Sequence, residues 1–274
     1  MKVAFCTCVQ IGLSCIESVL DIGGSFNLFI TLHDHKAKNK SGRVYLDELS
    51  KQTGTPLLKI NHVNDQETID ALREFEIDWL FIIGWSQIAS SNVLDAPKKG
   101  AIGAHPTLLP IGRGRAAVPW AILKGLDKTG VTFFKMNEGV DTGLILGQEV
   151  IELGPDETAT ILYNKVNTAH ETLIKKIWPS LMIDSINGIE QDESKASYWE
   201  GRKPEDGKIE SAKMSRVEVD TLVRATTRPY PGAFIQLPYN LKKIIWRGSL
   251  TKVSGAEKLD LKDGVYYILE SSIE

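Results

Sequence analysis

The sequence predicts an α/β fold in which a doubly wound, mainly parallel sheet precedes a small β-rich C-terminal subdomain. Three observations support this prediction. Short apolar runs of strand length alternate with helix-like segments along most of the chain. One run, Asp78 to Ile83, is apolar almost throughout, which is typical of a parallel strand buried on both faces. Composition also changes near residue 190, where polar, loop-like sequence is followed by short β-type runs.

The first element is a strand over Lys2 to Cys6, and a helix over Ser14 to Leu20 follows it. Asn64 followed by Glu67 has the spacing of a capping box and predicts the start of another helix. The remaining strands of the larger domain are predicted over Phe26 to Leu32, Pro56 to Ile60, Ala101 to Ala104, Val131 to Met136 and Leu144 to Ile151, the last two as neighbours. Further helices are predicted over Val118 to Leu123 and from Glu157, with Leu162, Val166, Ala169, Leu173 and Ile177 on one face.

The chain is expected to divide into a larger domain, residues 1–204, and a small β-rich subdomain, residues 205–274, interpreted as a truncated OB-like unit. A short helix is predicted over Val217 to Arg224. Strand-like runs follow over Phe234 to Leu237, Lys243 to Trp246 and Val265 to Leu269.

Composition disfavours several classes of function. The 274 residues are 42% hydrophobic and 24% charged, and 32 Lys and Arg are balanced by 35 Asp and Glu. This balance argues against nucleic acid as the main partner. We see no secretory signal and no apolar run long enough to cross a membrane, and we expect a cytoplasmic protein with no membrane partner. Three cysteines without a second ligand cluster predict no metal site.

The chemistry-bearing residues concentrate between residues 99 and 147. His105 follows a predicted strand, and Asp141 lies between glycine-containing turns 36 residues later. The two would form an acid–base pair if they met at one edge of the sheet. A surface histidine and an unrelated turn aspartate remain the alternative at this point.

Three motifs stand out in this block: His105-Pro106-Thr107-Leu108-Leu109-Pro110, Gly112-Arg113-Gly114-Arg115-Ala116 and Gly139-Val140-Asp141-Thr142-Gly143. Together and in this order they resemble the formyltransferases that use N10-formyltetrahydrofolate, a family that includes methionyl-tRNA formyltransferase and the sugar-nucleotide N-formyltransferases. The resemblance covers roughly residues 1 to 240 and implies a Rossmann-like formyltransferase domain.

The resemblance implies a role for each matched residue. His105 would be the electrophilic donor to the formyl oxygen, and Asp141 would orient it and help to move the amine proton. The formyl donor, N10-formyltetrahydrofolate, would be held beside the strand that ends at Gly84 and beside the loop before the catalytic aspartate. The candidate residues are Trp85, Ser86, Gln87, Ile88, Glu138, Gly139, Val140 and Asp141. For Trp85, core packing is the alternative.

The sequence departs from the family pattern two positions before His105, where the family has Asn and this chain has Gly103. Three interpretations are open. Ser86 or Gln87 supplies the missing hydrogen-bond donor, and we name Gln87 as the replacement. Alternatively, the Gly103 backbone or a water molecule supplies it, or the protein is an inactive folate-binding pseudoenzyme.

The acceptor amine distinguishes members of the family: initiator methionyl-tRNA, an amino sugar on a nucleotide, or glycinamide ribonucleotide. A tRNA acceptor requires a basic surface, whereas the C-terminal segment of about 65 residues mixes both charges and looks short for that enzyme. A nucleotide-linked amino sugar therefore fits better. Its candidate contacts are Ile11, Gly12, Lys38, Lys40, Ser41, Arg43, Arg113 and Arg115. An exposed basic loop, and an arginine that braces the glycine-rich turn through a carboxylate, are the alternatives.

The sequence thus predicts an N-formyltransferase that acts on a nucleotide-linked amino sugar. The product would be a formamido-sugar for surface polysaccharide (lipopolysaccharide) or nonulosonic acid synthesis. Methionyl-tRNA formyltransferase and a folate-binding pseudoenzyme are the alternatives. We expect a homodimer, while the sugar, the nucleotide and the position of the amine are not determined by the sequence.

Overall fold

The computed structural model describes residues 1–37 and 42–274. Its order of elements confirms the predicted α/β class. The strands are β1 Val3–Cys6, β2 Leu28–Leu32, β3 Leu57–Ile60, β4 Trp79–Ile82, β5 Gly100–His105, β6 Arg113–Gly114, β7 Lys128–Lys135, β8 Ile145–Glu152, β9 Tyr198–Trp199, β10 Ala233–Gln236, β11 Lys242–Ser249, β12 Glu257–Leu261 and β13 Gly264–Ile273. The helices are α1 Gln10–Asp21, α2 Asp34–Ala37, α3 Asp47–Thr53, α4 Gln66–Glu74, α5 Ser91–Leu94, α6 Ala117–Leu123, α7 Ala159–Met182 and α8 Arg216–Thr226.

The main sheet has seven strands in the order β3-β2-β1-β4-β5-β7-β8. The first five strands in this order are parallel to one another, and β5 pairs with β7 in the antiparallel direction. After β1 the chain builds outward to β2 on one side and later returns to β4 on the other. The carboxyl ends of β1 and β4 therefore flank the switch point, where folds of this kind bind ligands.

Apolar sequence explains why the central strands are buried on both faces. All four residues of β1 and all four of β4 are buried. Phe5 of β1 stacks on Phe81 of β4, with ring centroids 5.5 Å apart. The residues predicted for the inner face of α7 (Leu162, Val166, Ala169, Leu173 and Ile177) are all buried. Burial of this kind provides most of the stability of helices and sheets in such a fold.

Helix α4 exists as predicted, but its N-terminal cap is not the predicted one. The cap residue is Asp65, in an extended conformation, and not Asn64. The Asn64 side chain instead holds the loop after β4, since its Nδ2 donates to Ile88 O at 3.1 Å and its Oδ1 accepts from Ser90 N at 2.8 Å. A long-range contact has replaced the local capping bond.

The chain divides into two compact units. Unit 1 comprises Met1–Arg113, Gly130–Ile151 and Val166–Tyr198, and unit 2 comprises Gly114–Thr129, Glu152–Lys165 and Trp199–Glu274. The final segment of unit 2 starts five residues before the predicted boundary at residue 204, and two earlier segments join it. A domain division at residue 204 stays a prediction.

Unit 2 contains the small antiparallel sheet that was predicted for the C-terminus. Its four strands lie in the order β10-β11-β13-β12. Helix α8 packs on this sheet through Val219, Leu222 and Val223, which share a core with Tyr266 and Ile268. The helix begins with a capping box in which Ser215 and Glu218 each bond the other's backbone N–H. Among the described residues, no helix has the length and apolar character needed to span a membrane.

Candidate active site

His105 is the last residue of β5, and its side chain lies at the carboxyl end of the parallel strands. The residue is 7% exposed. Its Nε2 lies 2.7 Å from Gly112 O. A carbonyl oxygen can only accept, so Nε2 carries a hydrogen and donates it. The geometry leaves Nδ1 as the ring nitrogen available for chemistry.

Asp141 lies next to that second nitrogen. Its Oδ2 is 3.5 Å from His105 Nδ1, and the two side chains are only 16% and 9% exposed. The structure therefore brings together the two residues that the sequence paired. Because Nε2 is hydrogen-bonded to a carbonyl and Nδ1 faces a carboxylate, the His105 ring can hold or transfer a proton at Nδ1.

The loop that carries Asp141 is tightly shaped. Asn137 Oδ1 accepts hydrogen bonds from Gly139 N at 3.1 Å and from Thr142 Oγ1 at 2.8 Å. Asp141 itself has a φ of 55°, in the left-handed region, where Asp is tolerated better than most residues. A Cβ atom at Gly143 would lie 1.7 Å from Lys135 O, so only glycine fits there.

The surroundings of Gly103 differ from those that an Asn side chain would require. A Cβ at this position would lie 3.0 Å from Met136 Cγ and 3.1 Å from Phe134 Cζ. Gly103 is also paired with Ile82 of β4 and with Phe134 of β7. Because its backbone lies within the sheet, the strand pairing argues against the Gly103 N–H as a donor to a ligand.

The structure places Gln87 in the loop after β4, where its amide is engaged with neighbouring groups. Its Oε1 accepts from Val63 N at 2.8 Å and from Trp85 Nε1 at 3.2 Å, and its Nε2 donates to Asn61 O at 3.2 Å. These contacts brace the loop and engage both the oxygen and the nitrogen of the amide. The geometry thus favours a structural role for Gln87 over the predicted role as a replacement for the missing Asn.

The two loops predicted to hold the formyl donor each present an exposed aliphatic side chain. Ile88 is 82% exposed and Val140 is 58% exposed. Ser86 is exposed as well, whereas Trp85 packs partly against the core, as in its alternative interpretation. Glu138 Oε1 accepts a hydrogen bond from Ser91 Oγ at 2.9 Å, which ties the 138–141 loop to the start of α5.

Two of the predicted acceptor contacts serve the fold. Arg43 is 5% exposed and donates to Thr31 Oγ1 and to Leu32 O, both at 2.7 Å. Gly12 lies in the first turn of α1, where a Cβ would come within 1.9 Å of Thr7 Oγ1, so glycine permits the close approach of helix and strand. Ile11 is half-buried in the same turn.

Arg113 does not fit its predicted contact with the acceptor, because its side chain is fully buried. Its guanidinium donates hydrogen bonds to Gln191, Glu193 and Tyr198. Arg113 is thus the arginine of the alternative interpretation, which braces the turn through a carboxylate. Arg115 is exposed. The predicted contacts Lys38, Lys40 and Ser41 lie outside the described residues.

The pKa values of the charged and buried groups around the site reflect their contacts. Hydrogen bonds to Glu193 raise the pKa of Arg113, and the Arg113 guanidinium in turn lowers the pKa of Glu193. Behind His105, burial lowers the pKa of His170 to about 4. The His170 ring donates from Nδ1 to Val166 O at 2.8 Å and packs on Phe133. Burial outweighs that hydrogen bond, which by itself favours the charged ring, and keeps His170 neutral at physiological pH.

Sequence reasoning missed Gln191, Glu193 and Tyr198, which lie in the stretch interpreted as a polar loop. The only indication in the sequence is that polar side chains are concentrated there, which is equally typical of a solvated loop. Their partner Arg113 lies about 80 residues earlier in the chain, and only the fold brings the two segments together.

Comparison with known families and structures adds to this geometry. The sequence model of the family described as "Formyl transferase" matches residues 30–177, more than half of the chain.

Among solved structures, the chain is similar to an N-formyltransferase from Helicobacter canadensis, which was solved in complex with folinic acid and dTDP-3-aminofucose. The TM-score is 0.74 and the sequence identity is 19%, and the match covers 99% of this chain and 100% of that one. A sugar N-formyltransferase from a Shewanella species has a TM-score of 0.73 and 20% identity, over 92% and 99% of the two chains. Methionyl-tRNA formyltransferase from Clostridium thermocellum has a TM-score of 0.64 and 18% identity, over 100% and 99%. At these identities the likeness establishes the fold.

Proposed function

Because this chain belongs to the formyl transferase family, we propose that it transfers a formyl group from N10-formyltetrahydrofolate to the amine of a nucleotide-linked amino sugar. The product is a formamido-sugar for surface polysaccharide or nonulosonic acid synthesis. The observation that carries the proposal is the pair of His105 Nδ1 and Asp141 Oδ2 at the carboxyl end of β5, in which His105 is buried and Asp141 half-buried.

The residues of the two loops fit a folate formyl donor. A flat heterocycle needs apolar surface and nearby backbone hydrogen-bonding groups, and Ile88 and Val140 expose aliphatic surface on the loops that carry backbone groups 85–88 and 138–141. Burial of those two side chains under a ring would be favourable. When bound, the donor supplies the activated formyl carbon.

His105 and Asp141 carry the proton chemistry. With Nε2 fixed on Gly112 O, the Nδ1 position is where the ring gains or releases a proton. A protonated ring stabilises negative charge that develops on the formyl oxygen, and the Asp141 carboxylate stabilises that protonated ring. Asp141 also accepts the proton that the acceptor amine must lose when its bond to the formyl carbon forms. The bond between that carbon and N10 of the donor would then break, and N10 would take up the proton so that tetrahydrofolate leaves.

Surface charge favours a sugar acceptor over tRNA. Residues 205–274 contain eleven Lys and Arg and ten Asp and Glu. Six of the basic side chains form ion pairs with acidic neighbours: Lys213, Arg216, Arg224, Arg228, Lys243 and Lys262. Paired charges of this kind do not form the basic surface that RNA binding requires.

The length of the C-terminal segment does not add to this argument. The match to methionyl-tRNA formyltransferase covers 99% of that chain, so the expectation that this segment is too short for the tRNA enzyme is not supported. The preference for a sugar acceptor over tRNA therefore rests on the balanced surface charge of residues 205–274.

The test is a screen for formyl transfer with purified protein and N10-formyltetrahydrofolate. Nucleotide-linked 3-amino and 4-amino sugars are supplied separately, and products are detected by the mass gain of a formyl group. We expect one class of amino sugar to be formylated. Formylation of charged tRNA alone would contradict the proposed acceptor, and tight folate binding without any transfer would indicate the pseudoenzyme.

A further inference from the structure

Arg113 is the buried centre of a polar network within unit 1, whose partners Glu193 and Tyr198 lie at the surface. The side chain is fully buried, yet its guanidinium makes five hydrogen bonds. Glu193 accepts two of them, at 2.9 and 2.5 Å, and Gln191 Oε1 accepts two more, at 3.1 and 2.8 Å. Tyr198 Oη accepts the fifth at 2.8 Å. The planar fork of arginine matches this set of acceptors, and the single ammonium of lysine does not.

Gln191 connects this network to the loop of Asp141. Its Nε2 donates to Asp141 O and to Gly143 O, both at 2.8 Å. Because Arg113 holds Oε1 from the other side, the Gln191 amide cannot rotate without losing these contacts. The two bonds hold the backbone on both sides of Thr142, where Asp141 has its left-handed conformation. Such a conformation persists only where the surroundings determine it.

The same network reaches His105 through the backbone. Arg113 N donates to Ser197 O at 2.9 Å, and Gly112 N donates to Ser197 Oγ at 2.9 Å. These bonds hold the Gly112 carbonyl, which accepts the His105 Nε2 hydrogen bond. One buried arginine is thus connected to the backbone supports of both residues of the His105–Asp141 pair.

We propose that Arg113 and Gln191 are positioning residues that set the distance and orientation between His105 and Asp141. This inference rests on the proposed formyl transfer, since it assigns these residues an effect on that reaction. Neither residue needs to touch a substrate. Catalysis is sensitive to placement, because a displacement of about 1 Å can lower turnover by about 10²-fold.

The decisive variant is Gln191→Glu. The substituted carboxylate still accepts from Arg113 but presents an acceptor to Asp141 O and Gly143 O, so the loop loses its donor. We expect kcat to fall by about 10- to 100-fold with little change in KM. We also expect faster hydrogen exchange in residues 137–144, measured by mass spectrometry without any substrate. Gln191→Met, which adds no charge, should give the same two changes.

A double-mutant cycle with Asp141→Asn separates positioning from general damage. If Gln191 acts through Asp141, adding Gln191→Glu to Asp141→Asn lowers kcat by less than about threefold. Equal losses in both backgrounds would overturn the proposal, and so would unchanged exchange in residues 137–144.

Gln236→Glu is the matched control. Its Nε2 also donates to two backbone carbonyls, those of Leu237 and Leu241, in the segment between β10 and β11 of unit 2. We expect it to accelerate exchange there and to leave kcat unchanged, and a loss of kcat equal to that of Gln191→Glu would overturn the proposal. If the wild-type protein formylates no acceptor, the proposed function fails, whereas the exchange measurement still decides whether Gln191 holds the loop.

Discussion

The Asp141→Asn substitution tests the catalytic pair with the least disturbance of the fold. Asn has nearly the same shape as Asp and also tolerates the left-handed backbone conformation that Asp141 adopts, with φ of 55°. The change therefore removes the negative charge beside His105 Nδ1 and keeps the loop. We expect the variant to fold normally and to lose most of its turnover.

The magnitude follows from the geometry. Asp141 Oδ2 lies 3.5 Å from His105 Nδ1, and both side chains are largely shielded from solvent, so the carboxylate is positioned to accept a proton. Removing a positioned proton acceptor lowers kcat by about 10²–10³-fold, which corresponds to about 3–4 kcal/mol in the activation free energy.

The assay is steady-state formyl transfer, with KM for each substrate measured beside kcat. Asp184→Asn is the matched control, because Asp184 also has a positive φ, of 59°, but lies beyond the end of α7 and pairs with Lys99. We expect this control to keep wild-type kcat. A loss of less than about fivefold in Asp141→Asn would refute the assigned role of the carboxylate.

Three further predictions concern stability, measured by urea unfolding. Because the pKa of His170 is lowered in the folded state, the unfolded state binds more protons between about pH 4 and 6.5, and lowering the pH from 7.5 to 5 should reduce the free energy of unfolding by about 2 kcal/mol. His170→Leu should remove that part of the pH dependence. A variant with the same pH dependence as wild type would contradict the assignment to His170. Ser215→Ala should lower the free energy of unfolding by about 1 kcal/mol, because it removes the N-terminal cap of α8. Ser254→Ala, in an exposed loop, should leave the free energy of unfolding almost unchanged. Gly103→Asn should lower the free energy of unfolding by about 1–3 kcal/mol, because the larger side chain would overpack the site. Adding Met136→Ala should restore most of that stability. A Gly103→Asn protein as stable as wild type would disprove the close packing around Gly103.

The larger features of the fold could be predicted because they rest on local apolar patterns. The continuous run at Asp78–Ile83 identified β4, and spacing by three and four identified α7. The polar helix α3, Asp47–Thr53, contains no buried residue and therefore has no apolar face to detect. Strand β12, Glu257–Leu261, was missed as well, because charged residues dominate it and only Leu259 and Leu261 alternate on its inner side.

The candidate site was predictable where a motif carries it and unpredictable where contacts are long-range. His105 and Asp141 lie in recognisable motifs, and the sheet brings them within 3.5 Å. Arg113 was predicted to contact the acceptor because it lies in the glycine-rich turn of a matched motif, with a bracing role as the alternative. Its burial depends on Gln191 and Glu193, whose positions near residue 113 are set by the fold and not by local sequence.

The most direct test of the account is a competition for the formyl group. Purified protein, a labelled N10-formyl donor, a nucleotide-linked amino sugar chosen by the screen and charged initiator tRNA are mixed, and the ratio of kcat/KM for the two acceptors is measured from the label in each. We predict that the amino sugar receives nearly all of the label and that Asp141→Asn lowers the rate of this transfer by about 10²–10³-fold. Label found mainly in the tRNA, or in neither acceptor, would contradict the account.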